Sequence, residues 1–436
     1  MDTARTRIEF APLTQAECDA IVARHDKLRA GRLGGARATF SFTDLSGLDL
    51  SGRDLRDADF TGAVLAEADL GGSVLDNATF FAADLRRARL PKASLRRADL
   101  RGACFRGAVL DRADLTECDL REGLIAERDP GGRLRYLQHD IGPDQMPAVL
   151  TARPRSDGRE GSGGSGVCAD FTDASLRRAR LARANLRQAL FENADLTDAD
   201  LSGSNLSGAR FAGAILVNTQ MDLIVADGAD LTRVLSTRPS GISLEDLPEP
   251  FEFVLERHQL WARSEGRDGR PAALDRVDLR AAGSLAGLDL TALVANRAVF
   301  YGLDMTGVKL QGAQLAGADL RACALAGADL RGANLTGARL SKANLSGANL
   351  SPLLIDETRS LPAQCAGMEA RYTDFAGADL RGAVLAGADL SHAGLFGARL
   401  AETDLSGALL TGAQIAHSAF RQAQFHGARG VRLIKA

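Results

Sequence analysis

From about residue 38 onward the chain repeats one five-residue word, Ala-x-Leu-x-x, plainest at Ala333-Asn334-Leu335-Thr336-Gly337 and Ala378-Asp379-Leu380-Arg381-Gly382. A period of five fits neither an α-helix nor a flat strand. It describes a coil that turns a corner once per word. The apolar centre of the word recurs in unbroken phase from Phe40 to Leu120, from Phe171 to Met221, from Leu285 to Leu350 and from Phe375 to Phe425. Two residues before most centres sits a small residue, as at Ala58, Ala98, Ala194 and Ala348. Two positions of five therefore look inward and three look out. A chain that spends most of its length this way builds a stacked surface.

The phenylalanines set the number of sides. Phe40, Phe60 and Phe80 are spaced by twenty, and so are Phe171, Phe191 and Phe211. Four words per coil would stack each trio on one wall, which makes the coil a square. With the ordinary inter-strand spacing, coils rise about 4.8 Å, and about thirteen of them give roughly 60 Å of solenoid in total. The Ala slot suits so narrow a cross-section, because a second bulky residue there would overpack the core at about 1–3 kcal/mol.

On these words the chain resembles the pentapeptide-repeat proteins. The resemblance implies an all-β solenoid, a right-handed quadrilateral β-helix; handedness and turn type come from the resemblance alone.

Two short helices are expected before two runs of words. Thr14-Gln15-Ala16-Glu17 has the form of a capping box, Ile21, Val22, His25 and Leu28 follow with helical spacing, and Gly31 ends the helix. Around 250–264, Pro250 suits a first turn, Phe251, Val254, Leu255, His258 and Trp261 form an apolar stripe, and Gly266 closes it. The repeated preamble reads as a duplication. The expected organisation is a capping helix region at 1–37, a first solenoid at 38–240, a second capping helix at 241–274 and a second solenoid at 275–436. His25 and His258 are expected to pack at the caps.

The phase breaks twice. At about 121–168, Asp129-Pro130-Gly131-Gly132 lies between two strand-like runs, Leu124–Arg128 and Arg133–Gln138, so a projecting hairpin is expected. Beyond it, Gly161-Ser162-Gly163-Gly164-Ser165-Gly166 formally matches a dinucleotide fingerprint but has neither the strand before it nor the helix after it, and reads as a linker. A second loop is expected at about 352–372. Long loops in a regular coil are often where function sits.

The chain of 436 residues carries a formal net charge of −3, which argues against bulk attraction to nucleic acid. The six cysteines form no C-x-x-C pair, and Cys118 and Cys323 occupy the slot otherwise filled by Ala, so they read as small buried side chains in a reducing compartment. The opening Met1-Asp2-Thr3-Ala4-Arg5 has no apolar signal core and no run is long enough to span a bilayer, so a cytoplasmic protein without membrane contact is expected. There is no Walker loop, G-x-S-x-G, H-E-x-x-H or Cys/His metal spacing, so no enzyme, cofactor or metal site is expected. The abundant carboxylates, such as the column Asp59, Asp99 and Asp119, read as turn hydrogen bonding rather than acid–base pairs.

The candidate interaction surface is rich in arginine and reads either as a basic face for an acidic partner or as a solvated surface balanced by nearby Asp. Arg86, Arg87 and Arg106 follow centres twenty apart, and Arg177 and Arg178 join them if the register survives the interruption. Arg133, Arg135 and Tyr136 belong to the expected hairpin. The leading expectation is a non-catalytic scaffold that binds another protein through walls and loops. The alternative comes from the family resemblance: Qnr-type quinolone-resistance proteins resemble duplex DNA in shape and charge and bind DNA gyrase. That needs acidic walls, whereas residues 275–436 hold 14 acidic and 16 basic residues. An open solenoid end leaves homodimerisation as a further expectation.

Overall fold

One complete word shows why the chain coils. In Asp59-Phe60-Thr61-Gly62-Ala63 all five backbone N–H groups have acceptors. Asp59 donates to the Ala38 carbonyl of the previous coil at 3.0 Å, and Phe60 and Gly62 donate to Thr79 and Phe81 of the next at 2.7 and 2.8 Å. Ala63 closes the turn onto the Phe60 carbonyl at 3.0 Å, and Thr61 donates to the Asp59 carboxylate at 2.9 Å. Neighbouring coils supply three acceptors, the turn one, and the aspartate before the centre the fifth. Buried backbone must be satisfied in this way, and the five-residue word does it with one side chain.

The turn requires a left-handed residue two places after each centre. Gly62, Gly337 and Gly382 take it at φ near +63°, but so do Asp57, Arg87 and Ala322. The word therefore tolerates a non-glycine residue here at a torsional cost.

The computed structural model describes residues 11–111, 113–120, 126–128, 134–136, 169–416, 423–430 and 433–434. The chain forms two compact units, Met1–Thr237 and Arg238–Ala436.

In the first unit, β1 (Ala11–Pro12) pairs in parallel with β2 (Thr43–Asp44), on either side of helix α1 (Gln15–Arg29). The capping box forms: Thr14 Oγ1 accepts from the Glu17 N–H at 3.3 Å, and the Glu17 carboxylate accepts from the Thr14 N–H at 2.8 Å. Cys18 and Val22 of α1 enter the same core as Ala38 and Phe40. Bridges then run with an offset of twenty from Thr39↔Asp59 to Asp99↔Asp119, the four-sided coil that the phenylalanine spacing predicts. Phe40, Phe60 and Phe80 stack at 5.0 and 4.6 Å. A second ladder, Phe105, Phe171, Phe191 and Phe211, stacks at 4.7 to 5.0 Å on the adjacent wall. Each such side chain, buried outright, contributes about 1.5–3 kcal/mol.

The second ladder crosses the first break. Cys104 bridges Asp170 and Asp119 bridges Asn185, so Phe171 takes the place that residue 125 would hold in an unbroken coil. Strands β3 (Ala126–Arg128) and β4 (Leu134–Tyr136) pair antiparallel inside the interruption. The rest of 121–168, including Arg133 and the glycine-rich stretch, lies outside the described residues. The unit ends with β5 (Ile215–Leu216) parallel to β6 (Leu235–Ser236).

The second unit enters through a short 3-10 turn at Leu244–Asp246 and helix α2 (Phe251–Arg263). Pro250 is the residue just before the helix. Its first coil holds one extra residue: Ala273 bridges Val294 and Asp278 bridges Val299, an offset of twenty-one. The extra residue lies between the centres Leu279 and Leu285, where Gly283 turns at φ +76°. From Asp289↔Lys309 the offset is twenty.

The second break is shorter than the sequence suggests. Asn334 bridges Gln364 and Asn349 bridges Asp379, so Cys365 and Ala370 are already core centres, both fully buried. Neither is Leu or Phe, which hides the resumed phase in the sequence. The projection is confined to about 351–362, where β7 (Leu353–Leu354) and β8 (Ser360–Leu361) form an antiparallel hairpin. The unit's last pair is β9 (Ile415–Ala416) with β10 (Leu433–Ile434). Among the described residues no helix is long and apolar enough to cross a membrane.

Candidate interaction surface

Many outward arginines are held by carboxylates of the same solenoid. In the triplet Asp-Leu-Arg the aspartate caps the turn and the arginine, two residues on, folds back over it. Arg86 Nε donates to Asp84 Oδ1 at 2.9 Å and its Nη2 to Oδ2 at 2.6 Å. Arg101 with Asp99, Arg280 with Asp278, Arg321 with Asp319, Arg331 with Asp329 and Arg381 with Asp379 repeat the clamp. Burial works to lower the Arg86 pKa, but the hydrogen bonds and charge of Asp84 outweigh it and raise it. Charge-assisted pairing of this fork-to-fork kind fixes the guanidinium in place.

Arg87, at φ +57°, pairs with Glu67 one coil earlier. Arg106 reaches across the first break to Asp170 at 2.7 Å. Arg177 pairs with Asp195 at 3.0 Å and Arg178 with Asp198 at 3.4 Å. One expectation is corrected here. Phe171, not Leu176, stacks on Phe105, so Arg177 and Arg178 belong to the next wall, beside Asp111, and do not continue the column of Arg86 and Arg106. Arg86, Arg87, Arg106, Arg177 and Arg178 each have a carboxylate partner, which fits the Asp-balanced surface and not an uncompensated basic face. Of the hairpin residues, Arg135 lies in β4 opposite Glu127 and Tyr136 opposite Ala126, in backbone register.

A feature that the sequence reading missed lies on the β7–β8 hairpin. Leu354, Ile355 and Leu361 are 77%, 54% and 40% exposed, three exposed large apolar side chains within eight residues. The hairpin lies against glycines of the wall. A Cβ at Gly332 would sit 2.9 Å from Leu353 Cβ and 3.1 Å from Leu361 Cδ2, and one at Gly382 would sit 3.0 Å from Pro352. At its tip Arg359 Nε donates to Asp356 at 2.6 Å, and backbone hydrogen bonds from Thr358, with that arginine, lower the Asp356 pKa to about 2. The signal available in the sequence was Leu353-Leu354-Ile355, an apolar run out of phase with the words.

Stacked coils of twenty residues, five-residue words and a centre of Leu or Phe define a four-sided β-solenoid. The chain belongs to the pentapeptide repeat family: pentapeptide repeats match residues 36–72, 58–97, 93–122, 169–208, 204–234, 284–321, 313–351, 363–395 and 393–429. Proteins of this family are right-handed quadrilateral β-helices. No curated protein matches the sequence. Among solved structures, a trypsin-treated variant of QnrB1, a plasmid-mediated fluoroquinolone resistance protein, is 17% identical, with 58% of this chain and 88% of that chain covered and a TM-score of 0.27. HetL of the cyanobacterium Nostoc, a pentapeptide repeat protein involved in heterocyst differentiation regulation, is 20% identical over 93% and 92%, with a TM-score of 0.17. A pentapeptide repeat protein of the Arabidopsis thaliana thylakoid lumen is 25% identical over 39% and 65%, with a TM-score of 0.11. The family assignment rests on the repeats and not on these superpositions.

Proposed function

We propose that this chain is a non-catalytic scaffold that binds another protein through the segments where the five-residue phase breaks. The observation that carries the reading is the contrast between the two kinds of surface. The walls bind their own charges in Asp-Leu-Arg clamps and inter-coil pairs, whereas the β7–β8 hairpin holds Leu354, Ile355 and Leu361 out to solvent. Exposed apolar clusters of this kind mark binding sites more often than they serve the fold. Helices α1 and α2 act as end covers in this reading, since each packs apolar residues onto the first coil of its unit. The cytoplasm, with its reduced thiols, suits the five buried cysteines described as free.

The gyrase reading has less support. A DNA mimic needs carboxylates free to imitate phosphates, and here the column carboxylates are engaged by arginines or by turn N–H groups.

Excision tests the scaffold reading directly. Removing residues 352–361 together with Pro362→Gly joins Ser351 to a glycine followed by Ala363-Gln364-Cys365, which keeps the five-residue spacing and puts glycine at the left-handed turn place. The expected outcome is unchanged thermal unfolding with loss of partner capture in an affinity pull-down from source lysate. Capture at full strength by the excised protein would remove the hairpin from the account.

A further inference from the structure

The start of each solenoid poses a hydrogen-bonding problem. In later words the N–H of the small residue closes the preceding turn, as Ala58 does onto the Leu55 carbonyl at 3.1 Å. Ala272, in the first word of the second unit, has no preceding turn. Its N–H donates instead to Nδ1 of His258 on helix α2, at 2.9 Å. The imidazole is fully buried, and its Nε2 makes no hydrogen bond of ordinary geometry. The first unit repeats the arrangement: Ala38 donates to Nδ1 of buried His25 at 3.1 Å, and that Nε2 is likewise unpartnered. The chain therefore builds the same helix-to-coil bolt twice.

An imidazole can accept at Nδ1 only while it is neutral, with its proton on Nε2. We propose that His258 is a proton-operated latch, whose neutral ring ties α2 to the first coil and whose protonation at Nδ1 sets donor against donor and releases the helix. The proton comes from solvent; Nδ1 gains it, and Ala272 loses its acceptor. Burial favours the neutral ring and holds the pKa below 6.5, against the opposing pull of Asp289 and the Leu290 carbonyl. Asp289 is itself occupied by Lys309 at 3.1 Å, which blunts that pull. A non-titrating acceptor such as asparagine would satisfy Ala272 equally well, so the choice of histidine is what makes the bolt pH-dependent. The inference stands on this contact and does not depend on the scaffold reading.

Trp261 reports on the latch. It is the one tryptophan of the chain, and its ring centroid lies 5.8 Å from that of His258. The experiment follows Trp261 emission and the protection of the Ala272 amide, its hydrogen-exchange rate relative to the intrinsic amide rate at the same pH, on the full chain between about pH 8 and pH 5. In the native protein a reversible emission change with its midpoint below pH 6.5 is expected, together with protection at Ala272 lower by about tenfold or more. His258→Asn should keep the high-pH emission and the protection throughout, and His258→Leu should show low protection at every pH. Unchanged Ala272 protection in the native protein over this range overturns the proposal whether or not either variant folds. So does an undiminished transition in a folded His258→Asn protein.

Discussion

Arg321 grips both carboxylate oxygens of Asp319, two residues before it in the same word, with Nε to Oδ1 at 2.7 Å and Nη2 to Oδ2 at 2.6 Å. Both side chains are nearly buried, and Arg339 from the next coil stands 3.6 Å from the same carboxylate. Burial works to raise the Asp319 pKa, but the hydrogen bonds and charge of Arg321, backed by Arg339, outweigh it and leave the pKa below 3.8.

Truncating Arg321 to alanine strands a buried charge. Chemical denaturation of Arg321→Ala should show a loss of about 3 kcal/mol, in keeping with the removal of one partner from a buried pair. Arg381→Ala, at an exposed clamp of the same geometry, should move the unfolding midpoint far less. The pH dependence has a definite sign. A carboxyl whose pKa is lower in the folded state stabilises the fold above its unfolded value, and that stability is lost as pH falls through the folded value. The stability that this pair gives the native protein should therefore be lost only as pH falls below the usual Asp range, and the deficit of Arg321→Ala should shrink over the same fall, because protonating Asp319 removes the stranded charge.

The turn position separates torsion from packing. Gly337, at φ +63°, has nothing within 4 Å of where a Cβ would stand, so Gly337→Ala tests backbone cost alone. It should destabilise by about 1 kcal/mol, and Ala322→Gly, at φ +56°, should stabilise by about 0.5–1 kcal/mol. Thermal melts of the two variants should move in opposite directions.

Gly332 combines both terms. Gly332→Ala pays the same torsional cost and drives a methyl into Leu353 and Leu361. The hairpin should lift from the wall, seen as faster hydrogen exchange and easier proteolysis over 353–361, with the coils on either side still protected.

Much of this fold is legible in the sequence, because the fold is one word repeated. Phe40, Phe60 and Phe80 carry the number of sides, and the helix preambles carry the two starts. What stayed hidden depends on residues that satisfy the fold without looking like the word. Cys365 and Ala370 are buried centres that interrupt the run of Leu and Phe, so the second loop reads as longer than it is. The wall that Arg177 occupies depends on where the coil resumes, which only the Cys104↔Asp170 pairing fixes. The clamps were written as Asp-Leu-Arg throughout, but a triplet shows charge and not partner, so a basic face and an Asp-balanced wall read alike. The exposed Leu354 and Ile355 were visible as apolar letters; that they face solvent is a matter of how the hairpin docks.

The central claim is that each solenoid resumes in register after its interruption. The first unit gives the most direct test. Removing residues 123–168 leaves Leu120-Arg121-Glu122-Ala169-Asp170-Phe171, which restores the five-residue spacing and keeps Phe171 over Phe105. The measurement is the thermal unfolding of this excised protein. The account predicts one cooperative transition within about 4 °C of the intact chain, a shift worth about 1 kcal/mol for a unit of this size. Loss of cooperative unfolding, or a much larger fall in the midpoint, would contradict it.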